Sequence, residues 1–181
     1  MNLTTTDADL FFKLMWRLQF YVNRQRQILA DVASLEDYED RSMQDKAPVR
    51  NALWENLELI DAYFAENPDG LSAEELAIIL KWKRFVRGNF QIFRFLKKYT
   101  IFIGEKSQVY GVLGLYDSME DMFWGRKPPI MVEAVLLPFK GKIVYDGMMG
   151  IYGVYFGGGI RSGLNEEYMT AKQNELYFRP F

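Results

Sequence analysis

Two carboxylates and a lysine are the residues here whose types and spacing suit chemistry. Glu133 is the only charge inside the apolar run from Ile130 to Leu137, and Lys142 and Asp146 lie on the segment that returns from it. With Lys140-Gly141 as a two-residue turn, Asp146 faces Val135 across a hairpin. Glu133 is then its diagonal neighbour on the same face, which Lys142 shares. Two carboxylates and a lysine together suit a Mg²⁺-dependent site acting on phosphorylated or nucleic-acid substrates. The same residues also fit a structural role, with Glu133 paired to Lys142 or an arginine and Asp146-Gly147 as a turn. The balance favours the structural role, because a one-residue change in the turn separates the carboxylates.

The loop Gly157-Gly158-Gly159-Ile160-Arg161-Ser162-Gly163 is an anion-binding candidate. Glycines admit close backbone approach, a following helix start presents free N–H groups, and Arg161 adds charge-assisted bonds. It is neither a P-loop nor a dinucleotide fingerprint, since it lacks the Gly-Lys-Ser/Thr ending and a second βα unit. A bend or close-packed crossing is the plainer reading. No cofactor and no metal are implied by any motif.

Cations crowd one stretch. Lys83, Arg84, Arg87, Arg94 and Lys98, flanked by Lys81 and Lys97, fall on one side of an expected helix from Ser72 to Lys98. Ile78, Ile79, Trp82, Phe85, Val86, Ile92, Phe93 and Leu96 fall on the other. Such a face suits nucleic-acid phosphates or an acidic protein partner. A solvated face, with some cations paired to Glu55, Glu58 or Asp61, is the alternative. Gly88-Asn89 interrupts the middle of this helix.

These candidates need elements to hold them. A first helix is expected from Thr6 to about Leu29, with Phe11, Leu14, Met15, Leu18, Tyr21 and Val22 at three- and four-residue steps. A short second helix runs from Ser34 to Met43. A third starts at Pro48, suited to the first helical position, and runs to Glu66 before Asn67-Pro68-Asp69-Gly70. Ser72 and Glu75 form a capping box for the fourth. Tyr99–Ile103 and Gln108–Leu115 read as a hairpin, and Asp117 or Ser118 caps a helical turn or two through Trp124. Ile130–Leu137, Ile143–Asp146 and Ile151–Phe156 read as strands, and Asn165 to about Glu175 as a last helix. Tyr177, Phe178 and Phe181 form an aromatic tail that docks on its own sheet or on a partner. The fold class is α+β: a helical region over 1–98 and a small, mainly antiparallel sheet with a C-terminal helix over 99–181, in one compact unit.

Composition narrows the chemistry. The 181 residues include no cysteine and no histidine. That excludes disulfides, thiolate nucleophiles, Ser-His-Asp catalysis and His- or Cys-ligated zinc within this chain. Aromatic residues make up 16%, enough to supply both a core and a contact surface. The net charge of −2 argues against non-specific coating of nucleic acid but allows a local basic face. No apolar run reaches the length of a membrane span, and no leader pattern opens the chain, so a cytoplasmic protein without membrane contact is expected.

The run Leu137-Pro138-Phe139-Lys140-Gly141-Lys142-Ile143-Val144-Tyr145-Asp146-Gly147, followed by Phe156 to Arg161, Leu164 and Asn165, resembles the signature of an uncharacterised prokaryotic family. Ala52 to Asn56 and Lys97 to Phe102 are similar to its helical lead-in. The resemblance covers most of the chain. It implies a prokaryotic cytoplasmic protein and brings no activity and no catalytic residue. The expected function is therefore a non-enzymatic interaction module, with the Glu133/Asp146/Lys142 enzyme as its rival. The sequence leaves the partner and the oligomeric state open.

Overall fold

The computed structural model describes residues 1–153 and 158–174, with the side chains of Ile160 and Arg161 also outside the description. The chain divides into two compact units, Asp9–Lys83 and Met1–Ala8 with Arg84–Phe181.

The first of these is helical. Helix α1 (Thr5–Arg26) gives it all but its first turn, and Phe11, Leu14, Met15, Leu18, Tyr21 and Val22 are buried as their spacing predicts. Helix α2 (Leu35–Glu39) opens on a capping box. Ser34 Oγ accepts the Asp37 N–H, and the Asp37 carboxylate accepts the Ser34 N–H. Helix α3 (Met43–Glu55) starts at a Ser42 cap, so Pro48 lies inside it and not at its first position. The cost of that placement is a missing bond to the Gln44 carbonyl. The expected long third helix is broken at Asn56, whose amide donates to the Ala52 carbonyl, and resumes as α4 (Glu58–Glu66). Helix α5 (Ala73–Lys81) has the Ser72/Glu75 capping box read from the sequence.

The second unit is built on five strands: β1 (Val86–Phe95), β2 (Thr100–Gly104), β3 (Val109–Leu113), β4 (Ile130–Phe139) and β5 (Lys142–Ile151). They close into a barrel in the order β1-β2-β3-β5-β4. Only β3–β5 is parallel; the other four pairings are antiparallel. Strand β1 closes the barrel by pairing β4 along Val86–Ile92 and β2 along Phe90–Phe95. Phe90 packs inside against Phe102 (ring centroids 6.0 Å) and Tyr110 (5.8 Å). The opposite face of β2 and β3 presents Ile101, Ile103 and Val109. Helix α7 (Gly158–Gln173) covers these with Leu164, Tyr168 and Ala171. A register shift between Ile92 and Arg94 turns Phe93 into that cluster and Arg94 outward. Helix α6 (Met119–Met122), capped by Ser118, lies between β3 and β4.

Gly114, just after β3, sits at a crowded junction. It bridges to Asn2, its N–H donates to the Met1 carbonyl, and its carbonyl accepts from the Leu3 N–H. A Cβ built there would fall 1.9 Å from the Asp117 carbonyl oxygen.

The α+β class holds, with helices leading into a five-stranded sheet and a helix closing it. The expected fourth helix does not run to Lys98. It ends at Lys81, a 3₁₀ turn covers Trp82–Arg84, and β1 takes Val86–Phe95. The two units accordingly part at Lys83–Arg84 and not near Lys98. Residues 86–92 alternate between half-buried or buried even positions and outward Arg87, Asn89 and Gln91. That period of two, with β-branched and aromatic residues and a central glycine, favours strand over helix. Pro138 does not end β4. It lies beyond the β1 ladder, which stops at Leu136, so its missing N–H breaks no bond there. Ile143 to Ile151 belongs to one strand, which ends there, so Tyr152 and Gly153 do not continue it as expected; residues 154–156 lie outside the described residues.

Candidate functional site

The hairpin register puts Glu133, Asp146 and Lys142 in three different environments. The Lys140-Gly141 turn forms as expected, with both residues at positive φ (48° and 75°), and Phe139 to Leu136 pair with Lys142 to Tyr145. The register then shifts. Ala134 pairs with Met149, so Asp146, Gly147 and Met148 all bulge opposite Val135. Glu133 therefore faces Gly150 and is not the diagonal neighbour of Asp146. Its carboxylate is held by Arg87, Nη2 to Oε1 at 3.2 Å. Asp146 is fully buried, and its Oδ1 accepts the Met148 N–H at 3.2 Å inside the bulge. Burial, with the nearby Asp146 charge adding to it, raises the Tyr145 phenol well above its usual range.

Lys142 turns elsewhere. Its ammonium lies 3.2 Å from Asp7, which also takes Lys140 at 2.5 Å. The Lys140 hydrogen bond holds the Asp7 carboxyl below the ordinary aspartate range, against a smaller opposing effect of burial. Among the described residues, no group of three or more acidic side chains is arranged to hold a metal ion.

The cations of the expected basic face are likewise dispersed. Lys83 pairs with Asp61 at 2.6 Å within the helical unit. Arg84 is exposed in the 3₁₀ turn. Arg87 is engaged by Glu133, and Arg94 donates to Asn165 Oδ1 at 2.9 Å while lying over the rings of Phe93 and Tyr168. Arg94 thus anchors α7 to the barrel. Lys97 and Lys98 are solvent-facing together at the tip of the β1–β2 hairpin. Of the glycine loop, Gly157 lies outside the described residues, and Gly158 and Gly159 begin α7. The Arg161 side chain and the aromatic tail from Tyr177 to Phe181 also lie outside the description.

Near the Lys97-Lys98 turn lies a loop not picked out from the sequence. Phe95, at the end of β1, stacks on Phe123 at 6.4 Å, and the next residue, Trp124, is 88% exposed. Arg126 and Lys127 follow on the same loop, both exposed. Lys97, Lys98, Arg126 and Lys127 form no ion pair with a described residue. The signal was present as Trp-Gly-Arg-Lys ahead of two prolines. The missing knowledge was that Phe123 is buried while Trp124 is not.

Charge is also divided unequally. Residues 9–83 carry 9 Lys/Arg against 14 Asp/Glu, and the remainder carries 13 against 10. The barrel unit is therefore net positive in a chain that is net negative.

Comparison with protein-family models, with curated proteins and with solved structures gives no match to this chain. Among the described residues, no helix is long and apolar enough to cross a membrane.

Proposed function

We propose that this protein is a non-catalytic interaction module whose barrel unit binds single-stranded nucleic acid. The binding surface is the rim formed by Lys97 and Lys98 on one side and Trp124, Arg126 and Lys127 on the other. The observation that carries this reading is a nearly fully exposed tryptophan among four cations that have no ion-pair partner among the described residues. Single strands are held by that combination, phosphates by cations and bases by stacking on an aromatic face.

The architecture supports the same reading. A closed five-stranded barrel whose first three strands meander, with β3 beside β5, is similar in connectivity to the small barrels that bind oligonucleotides and oligosaccharides. Fold alone assigns no function, so the weight rests on the rim. The β2–β3 face used by many such barrels is covered here by α7, while the β1–β2 tip and the loop before β4 are exposed.

The test is fluorescence anisotropy of a labelled single-stranded oligonucleotide with the full chain, over a range of salt concentration. Binding that weakens steeply with salt, and by about tenfold or more in Trp124→Ala and in Lys97→Glu/Lys98→Glu, is expected. No binding at low salt, or binding unaffected by both variants, overturns the reading. Purification from native lysate with and without nuclease separates a nucleic-acid partner from a protein one.

A further inference from the structure

A second site lies away from that rim, beside the β2–β3 turn. Asn89, Gln91, Ile103, Gly104, Glu105, Met131 and Tyr152 line a cavity of about 340 Å³, a volume that suits a small organic molecule. Ile103 and Met131 give it apolar walls, and Tyr152 gives it an aromatic one. Its polar groups form a chain with a direction. The Tyr152 hydroxyl donates to Asn89 Oδ1 at 3.2 Å, and Asn89 Nδ2 donates to Glu105 Oε1 at 3.1 Å.

Asn89 Nδ2 keeps a second N–H, but the chain ends on a carboxylate with acceptor capacity to spare. The other unmet group on the lining, Gln91 Oε1, is also an acceptor: it is buried and makes no hydrogen bond. Glu105 carries the only formal charge among the described lining residues. Glu133, across the ladder from Asn89, is neutralised by Arg87. Lys106 lines the neighbouring cavity instead. A ligand here gains from bringing donors to Glu105 and Gln91 Oε1, and from bringing positive charge.

We infer that this cavity binds a small organic cation with a planar, donor-rich head, an amidinium or guanidinium, whose N–H groups meet Glu105 and whose face packs between Met131 and Tyr152. A flat delocalised cation satisfies a carboxylate and an aromatic wall together, which a hydrated ammonium does less well. The inference is independent of the nucleic-acid reading, since an added negative charge at Glu105 disfavours a phosphate.

Three probes of nearly equal shape and different charge test it: benzamidine, benzamide and benzoate, titrated calorimetrically into the full chain. Benzamidine is expected to bind about tenfold or more tightly than benzamide, as one charge-assisted contact implies, and benzoate not at all. Glu105→Gln keeps the side-chain volume on an exposed turn and is expected to erase the preference for benzamidine at unchanged melting temperature. Met131→Trp, which fills the cavity, is expected to abolish binding of benzamidine and of benzamide. Equal or weaker binding of benzamidine than of benzamide, no binding of any probe at millimolar concentration, or a charge preference that survives in Glu105→Gln would each overturn the inference. Oligonucleotide affinity is expected to be the same in Glu105→Gln and wild type, so failure here and failure at the rim are separable.

Discussion

The helical unit pairs most of its cations internally, whereas the barrel unit leaves a cluster of them unpaired. In the helical unit, Lys13 meets Glu75, Arg17 meets Asp69, Arg26 meets Glu58, Arg41 meets Asp31 and Lys83 meets Asp61. Even its buried Lys46 is absorbed, donating to the Glu39 and Arg41 carbonyls and lying 4.6 Å from the Trp16 ring. Burial pulls the ammonium of Lys46 below its usual pKa. In the barrel unit the pairs Arg87–Glu133 and Asp7–Lys140/Lys142 close the wall, and the cations of the Lys97-Lys98 turn and the Trp124 loop are left over. Count alone therefore misleads. A surplus of charge becomes a binding surface where the fold has left it without a partner, and cations spent on internal pairs contribute little outside.

The largest expected effect tests the barrel as a scaffold. Phe90 is 2% exposed between Phe102 and Tyr110. Phe90→Ala is expected to cost about 3–5 kcal/mol by chemical denaturation, the usual penalty for emptying an aromatic core site. Next comes the contrast in charge. Lys97→Glu/Lys98→Glu is expected to weaken oligonucleotide binding by about tenfold to a hundredfold, while Lys13→Glu/Lys83→Glu in the helical unit leaves it unchanged. Equal losses in both variants would erase the distinction between the units.

A smaller effect concerns Asp7. Its folded pKa lies below the ordinary value, so its contribution to stability is present above about pH 4, the unfolded value, and fades as pH falls below it. Asp7→Asn is expected to lower the urea midpoint at pH 7, with the gap to wild type shrinking near pH 3. A gap independent of pH would mean that Lys140 and Lys142 do not act through that carboxylate. The smallest effect is at Lys83→Ala, which breaks a partly exposed pair with Asp61 and is expected to change stability by about 1 kcal/mol or less.

Much of the fold is legible where one local signal acts alone. Ser72 with Glu75 specifies a helix start, Lys140-Gly141 a hairpin turn, and Gly104–Ser107 the β2–β3 connection; all three form. Legibility fails where two periods overlap. Val86, Ile92, Phe93 and Leu96 satisfy a helical stripe because the bulge at Ile92–Arg94 interrupts the alternation that marks a strand. The same limit applies to the Glu133–Asp146 pairing. Its turn is read correctly, but the bulge at Asp146–Met148 shows in the residues only as Asp146-Gly147, which does not say how many residues it adds to the ladder. The rim surface is hidden for a different reason. Phe123 and Trp124 are adjacent aromatics of similar type, and only the packing of Phe123 on Phe95 decides which of them faces water.

The crowding at Gly114 has a consequence for how this chain can vary over generations. It lies after a strand, near the surface loop that carries exposed Tyr116 and Asp117, where drift is ordinarily tolerated. Yet the Asp117 carbonyl leaves no room for even a methyl group, and the backbone of residues 1–3 is stitched to the same spot. In a saturation library, position 114 should accept glycine alone while its exposed neighbours accept nearly anything: a frozen codon in a permissive stretch.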